Sequence, residues 1–423
     1  MKISKRVSFL LLAFVLAAGA APEAFAGSGG SAYSLIGLGD IRYVPGARAV
    51  GMGYAGLALS SPLYIDGTSP ASWYRINRTR LEGAVLYEGF QSTDGNTSRY
   101  LARMDFHGTL LAVPISQQDG IVLVGGFVPY SNTSYDTYTS GSFQQGADTL
   151  TYRLHHTGTG GITKAQIGLS WAPRPDLALG ASLNYMFGTL TDQMDQVSST
   201  SASVGGTRKG NETYSGVSVT TGIIYSGFGA LGTAWQPLAL GLTLTTRANL
   251  HTTDLTTFSY AGGESDSSSE TFGRVGVPVS LGVGLGYQFG ERWTLAADYI
   301  MQPWSQADFQ GSRPVGLRDS YRIAVGAERM GAKDLTAGWL DRVSYRLGVT
   351  YNQTYYTLGT QNINEWGITA GMAFPLSGES RLNVAAEYGS RGTTASNLIK
   401  DNIFRMTFSL NISDLWFIRY EEE

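Results

Sequence analysis

The chain has 423 residues, a formal net charge of −3 and no cysteine. So small a charge gives no footprint for a nucleic-acid partner, and the lack of cysteine excludes thiol catalysis, disulfide staples and a lipoprotein anchor. With 55 glycines, 24 tyrosines and only 15% charged residues, the composition is unlike that of an ordinary soluble domain.

Lys2, Lys5 and Arg6 form a positive start, Val7 to Ala18 an apolar run, and Ala24-Phe25-Ala26 a small-residue cleavage site. This predicts a signal peptide over 1–26 and a mature chain beginning near Gly27. Beyond it no apolar run approaches ~18 residues, so no transmembrane helix is expected.

The next block, 27–79, carries Tyr33-Ser-Leu-Ile-Gly-Leu-Gly39, and its Pro62 and Pro70 forbid a long helix. Within it Gly46 to Trp73 is rich in small residues and lacks strand-like alternation. A compact non-strand segment ahead of a long β region predicts a plug of short helices and turns inside a barrel.

From about Arg80 the pattern becomes one of strands. In Val275 to Phe289 the odd positions are apolar and the even ones are Gly, Ser, Pro or Gln. Similar alternation runs through Leu177–Phe187, Leu238–Thr245, Val343–Asn352, Trp366–Phe374 and Phe404–Leu410. A soluble sandwich strand of ~5–6 residues would alternate too, but a membrane-crossing strand needs ~9–11. Length and the signal peptide favour lipid-out, lumen-in alternation. Candidate strands number about fourteen, spanning 80–412, with 413–423 as a periplasmic tail. Ser131–Thr157, Thr191–Thr213 and Thr256–Thr271 read as long extracellular connections. The expected fold is all-β: a transmembrane antiparallel barrel with an N-terminal plug, in the bacterial outer membrane.

The second and third strands break the pattern. Thr109–Val113, with Leu110, and Ile121–Val124, with Val122 and Val124, are apolar on both faces. An inward apolar face in such a barrel touches a plug or an apolar ligand. Gly125, Gly126 and Pro129 then weaken the third strand and predict a kink or bulge, or a gap in the wall. By parity Asp298, Arg322, Glu328, Arg346, Glu387 and Arg405 point into the lumen, to brace the barrel or to hold a carboxylate. His155-His156 reads as a surface pair, and no hydrolase, zincin or phosphate-loop motif is present. No catalytic residue, metal or cofactor is expected, and the chain does not read as an enzyme.

Arg48-Ala-Val-Gly-Met-Gly53, Ala55-Gly-Leu-Ala58 and Ser69-Pro-Ala71 resemble the plug signature of the FadL-type outer-membrane family that transports long-chain fatty acids and hydrocarbons. Val277–Gly282 followed by Trp293–Tyr299 is similar to that family's central hairpin, and the tail resembles those of its Bacteroidetes-like members. Ser69 stands where the family has Asn, and Tyr54 where it has a small residue.

The resemblance implies passive uptake of a hydrophobic small molecule, a fatty acid or hydrocarbon, by a monomer in contact with outer-membrane lipid. It places the ligand against Tyr33, Leu35, Ile36, Leu38, Leu110, Val122 and Val124. The plug would include Gly46, Arg48, Gly51, Met52, Gly53, Ser69, Pro70 and Ala71, and the lateral gate Gly125, Gly126 and Pro129. The competing expectation is a plugged barrel that binds a protein partner in a secretion or outer-membrane assembly complex. An apolar, ligand-sized lumen beside the third strand would favour transport, and a lumen filled by polar side chains the partner role.

Overall fold

The computed structural model describes residues 27–43, 46–145, 148–198, 205–260, 267–312, 316–334 and 336–414. The expected signal peptide and all but the first two residues of the expected tail lie outside the described residues.

Fourteen antiparallel strands close into a barrel. In chain order they are β1 (Thr79–Thr93), β2 (Ser98–Ser116), β3 (Ile121–Pro129 continued by Ser131–Gln145), β4 (Asp148–Arg174), β5 (Leu177–Ser198), β6 (Gly206–Tyr225) and β7 (Leu238–Thr245 continued by Ala248–Tyr260). The second half holds β8 (Ser267–Val277 continued by Ser280–Phe289), β9 (Trp293–Gln302), β10 (Ser320–Arg329), β11 (Ser344–Leu358), β12 (Gln361–Pro375), β13 (Arg381–Gly392) and β14 (Lys400–Asp414). β14 pairs with β1 from Lys400↔Thr93 to Asp414↔Thr79, so no edge is left open there and both ends of the barrel lie on one side.

The polar runs expected as loops are strand instead. β3 to β8 carry the ladder through most of 131–157, 191–213 and 256–271. Outside the bilayer a strand needs no apolar face; Thr, Ser and Tyr extend well, and the backbone ladder alone satisfies its polar groups. Lipid-type alternation therefore marks where these strands cross the membrane and not where they end.

Residues 275–289 are not one strand. The ladder stops at Val277 and resumes at Ser280, across Pro278, which has no N–H to give. The neighbouring β7 breaks at the same level, between Thr245 and Ala248. Facing inverts across the break. Leu281, Val283 and Leu285 are 42–47% exposed on the lipid side, whereas Val275 and Val277 are 1% and 4% exposed inside. Leu242 and Leu244 face out, and Ala248 and Leu250 face in. The same apolar parity thus serves lipid below the break and a luminal core above it. Phe289, Trp293 and Trp339 stay exposed at the short-turn end, as an interfacial girdle requires.

The lumen is filled by residues 29–43 and 46–78. They form a 3-10 turn (Ala32–Leu35), a short helix α1 (Ala47–Gly51) and a second 3-10 turn (Pro70–Arg75). Gly53 sits at φ +66, a conformation open to glycine, and a Cβ there would lie 2.6 Å from the Val349 carbonyl oxygen. From the wall side, a Cβ on Gly348 would lie 2.2 Å from the Gly53 nitrogen, and one on Gly326 2.3 Å from the Met52 carbonyl oxygen. Glycine on both surfaces lets backbone meet backbone, which is why β10 to β12 can lie directly on the plug.

Candidate functional site

Polar contacts bolt the plug to the wall at many places, five of them through Asp40, Glu88, Glu328, Glu387 and Asp298. Arg391 binds Asp40, with Nη1 2.7 Å from Oδ1. Arg42 grips both oxygens of Glu88. Arg48 Nη2 lies 2.8 Å from Glu328 Oε2. The Tyr54 hydroxyl donates to Glu387, and Asp298 Oδ2 accepts the amides of Gly56 and Leu57 at 2.7 and 3.0 Å.

Glu88, Glu328 and Glu387 are each shared with a wall arginine. Glu88, fully buried, meets Arg42, Arg103 and Arg405. Arg405 in turn meets Glu365 and Glu387 at 2.6 and 2.9 Å. Glu328 also accepts from Arg346, whose other nitrogens reach Tyr64 and Asn383. Burial works against the charge of Arg42, but Glu88 and Asp105 hold its pKa above the ordinary arginine value. Burial also opposes the charge of Arg48, and Glu328 reverses that effect. Burial first, and Glu387 second, push the Tyr54 hydroxyl well up, so it stays protonated as a donor.

All six charges read from parity point inward. Glu88, Glu365, Arg391 and Asp401, equally buried, were missed. Their own strands put Glu88 in register with the buried Leu86 and Phe90, and Arg391 with the buried Ala385 and Glu387, so parity applied to β1 and β13 would have found them.

Asp66 is the plug's second acid beside Asp40. Its backbone oxygen accepts from Trp73 and its carboxylate from the Thr68 amide. Burial, the larger effect, and then Asp298 raise its pKa to about 6 against the Thr68 bond and Arg48. The native state therefore binds this proton more tightly than the unfolded chain does. The penalty is present above pH 6 and gone below pH 4. Asp66→Asn should stabilise the protein by about 2–3 kcal/mol at pH 8 and leave it unchanged at pH 4. Urea midpoints of both proteins at the two pH values check this; an equal difference at both would contradict it.

The residues expected to line a ligand site fall into two places. Tyr33 and Leu38 are buried in an apolar cluster with Ile162, Leu250, Val275, Trp304, Tyr355 and others, and Ile36 packs against it. This is the core created by the inverted facing of β7 and β8. Leu35 instead is 49% exposed. Leu110, Val122 and Val124 pack elsewhere, against Ile65, Trp73 and Ile76 of the plug.

Among the plug residues, Gly46 sits at φ +98, where a Cβ would meet Glu82 at 2.5 Å. Gly51 and Gly53 close on Thr369, whose hydroxyl accepts the Gly53 amide and donates to the Gly51 carbonyl. Pro70 and Ala71 lie against Gly180 and Gly222. The Ser69 hydroxyl is buried without a hydrogen-bond partner, so it replaces no contact an asparagine would make there.

The third strand is interrupted after Pro129. Gly125 and Gly126 themselves lie in an unbroken ladder, opposite Leu111 and Leu110 of β2 and Ile167 and Gln166 of β4. A Cβ at Gly126 would stand 2.1 Å from the Thr109 carbonyl oxygen, whereas Gly125 has room. Above Tyr130, β3 pairs with β4 but no longer with β2. Residues 98–107 of β2 and 131–145 of β3 are therefore not joined by a ladder.

The N-terminal segment fills that space. Gly27–Ser28 pairs with Leu101–Ala102, and Asp40–Ile41 with Ser131–Asn132. The Ser34 hydroxyl donates to the Ser134 carbonyl at 2.8 Å and accepts its amide at 3.0 Å. Ser31 binds Asp401, and the Tyr33 hydroxyl donates to the Ile399 carbonyl. Arg103 crosses to Asn132, and Arg99 to Asp136 at 3.2 Å. Cavities of about 30, 60 and 110 Å³ lie between plug and wall, each lined in part by charged side chains. No group of three His, Asp or Glu side chains is placed to hold a metal among the described residues.

Solved structures share this fold. A FadL homologue of Pseudomonas aeruginosa matches with TM-score 0.57 at 13% identity, over 88% of this chain and 98% of its own. The toluene transporter TbuX of Ralstonia pickettii matches with TM-score 0.55 at 14% identity, over 87% and 98%. The toluene transporter TodX of P. putida does so with TM-score 0.55 at 16%, over 90% and 100%. The sequence resemblance to FadL-type barrels thus holds at the level of the fold, and a closed barrel with an apolar outer belt places the chain in the bacterial outer membrane. No curated protein matches the chain. The family model described as BamG matches residues 4–421, so the chain belongs to the BamG family.

Proposed function

We propose that this barrel passes hydrophobic small molecules, such as a fatty acid or a hydrocarbon, across the outer membrane. Residues 27–79 act as the plug, 80–412 as the barrel, and 27–41 as its movable seal. The observation that carries this reading is the unladdered stretch between β2 and β3, occupied by that segment and adjoining the apolar cluster around Tyr33 and Leu38. In the state described here the segment occupies the place a ligand would take. Displacing it exposes apolar luminal surface, and a guest regains about 25 cal/mol per Å² buried there. Exit would be sideways, beside Pro129, into lipid. That the fold is shared with toluene transporters and a FadL homologue supports the same direction.

A second reading, a plugged barrel that binds a protein partner in an envelope assembly, is favoured by two observations. The apolar inner faces of β2 and β3 are already packed by Ile65, Trp73 and Ile76, and the plug is bolted at many places. Where β8 to β14 lie on the plug, the outer wall also carries an apolar depression of about 860 Å³, lined by Leu285, Leu295, Val325, Val349 and Ile368. Mass spectrometry of the protein extracted in mild detergent separates the readings. A co-extracted apolar small molecule, more abundant when 27–41 is deleted, is expected. A stoichiometric protein partner with no such molecule would reject transport in favour of the second reading.

A further inference from the structure

A luminal cavity of about 110 Å³ lies between plug residues Ile41–Tyr43 and Gly67–Thr68 and the walls of β3 to β10. Three cations reach it, Arg42, Lys164 and Arg322, and no carboxylate lines it. Arg42 is committed to Glu88 and Asp105. The other two are not committed. Arg322 is 2% exposed, and its Nε, Nη1 and Nη2 have no acceptor. Its guanidinium carbon lies 4.2 Å from the Tyr43 ring centroid and 5.4 Å from that of Tyr54, contacts that support the cation's flat face and leave its N–H edge unused. Lys164 Nζ rests 5.9 Å from the Tyr130 ring centroid, and no carboxylate among the described residues is within ion-pair distance of it.

The carboxylates beside Arg322 do not line this cavity, although Asp298 Oδ1 is itself buried without a donor. Asp298 turns one oxygen to the amides of Gly56 and Leu57. Glu365 and Glu387, in the adjoining cavity that Arg322 also borders, are held by Arg405. Two further groups in the cavity, Gln166 Nε2 and Thr68 Oγ1, are also buried without partners. The surplus is thus of donors and of positive charge. Water could take the hydrogen bonds, but it leaves two like charges across one small, partly dry space.

We propose that this cavity binds a small oxyanion, a carboxylate or phosphate, between Arg322 and Lys164, with Gln166 and Thr68 completing its shell. The guanidinium fork matches such a group in two-point geometry, and the volume admits the anionic group but no acyl chain. The proposal stands apart from the passage reading, because it needs no movement of residues 27–41.

Calorimetric titration of the full-length protein in neutral detergent tests it, with inorganic phosphate, acetate and a phosphatidylglycerol-doped micelle as three probes. Saturable binding of at least one probe is expected, weakened about tenfold or more by Arg322→Met and by Lys164→Met. Dependence on both residues with phosphate or acetate identifies a free anion. The same dependence with the micelle alone identifies a lipid headgroup. Arg322→Met should also raise the unfolding temperature, since it removes an unpaired buried charge. Should it fail to fold, Lys164→Met and Arg322→Lys carry the comparison. No saturable binding of any probe, or binding that both substitutions leave unchanged, overturns the proposal.

Discussion

Glu88→Gln should loosen the plug and lower stability by about 3–5 kcal/mol, the cost of breaking a buried ion pair. Glu88 is fully buried and is the common partner of Arg42 from the plug and of Arg103 and Arg405 from the wall. Glutamine keeps the volume and removes only the charge. Three guanidinium groups then face one another around a neutral amide, in a region where water cannot easily replace the lost carboxylate. The fall in urea midpoint, together with new protease cuts within 42–78, measures it. Arg99→Gln is the control. Its pair with Asp136 is half open to solvent and should be worth no more than about 1 kcal/mol. Equal effects of the two substitutions would contradict the assignment of Glu88 as the central bolt.

Gly348→Val is expected to have the second large effect, through geometry and not charge. The valine Cβ would enter at 2.2 Å from the Gly53 nitrogen and 2.3 Å from the Met52 carbonyl carbon. Both are backbone atoms, so no side chain can swing away. Either β11 bulges outward or α1 is pushed off its hydrogen bonds to Thr369. Overpacking of this kind costs about 1–3 kcal/mol where the surroundings can yield, and more where they cannot. Gly83→Val on β1 meets nothing within 4 Å and should fold normally. Heat-resistance of the barrel on gels, compared for the two variants, checks the difference.

The barrel and the existence of the plug were legible because each has a simple periodic signature. Lipid imposes alternation on the crossing parts of the strands, and the plug stands out by lacking it. The inward charges followed from the same parity. The inversion of facing in β7 and β8 was not legible. In 275–289 every odd residue is apolar on both sides of Pro278, and two unpaired residues are enough to turn Val277 inward and Leu281 outward. The pattern carries no mark of that turn, since a luminal core and a lipid face require the same side chains. The length of β3 to β8 was hidden for a related reason: Thr- and Ser-rich strand beyond the bilayer is written like loop. Gly125 and Gly126 read as weak strand formers, but they lie in an unbroken ladder, where Gly126 has no room for a Cβ beside Thr109 and Gly125 has, and the interruption falls at Tyr130, next to Pro129.

The account turns on residues 27–41 moving out of the space between β2 and β3. A reversible lock tests this, and the lack of native cysteine makes it clean. The Ser34 hydroxyl meets the Ser134 backbone across the seal, so Ser34→Cys with Ser134→Cys can be bridged by a short bifunctional methanethiosulfonate, a link that reduction cleaves. Uptake of a radiolabelled apolar probe by cells carrying this variant, measured before and after reduction, is the direct readout. Bridging should stop uptake, and reduction should restore it. Equal uptake in the locked and unlocked protein would contradict it.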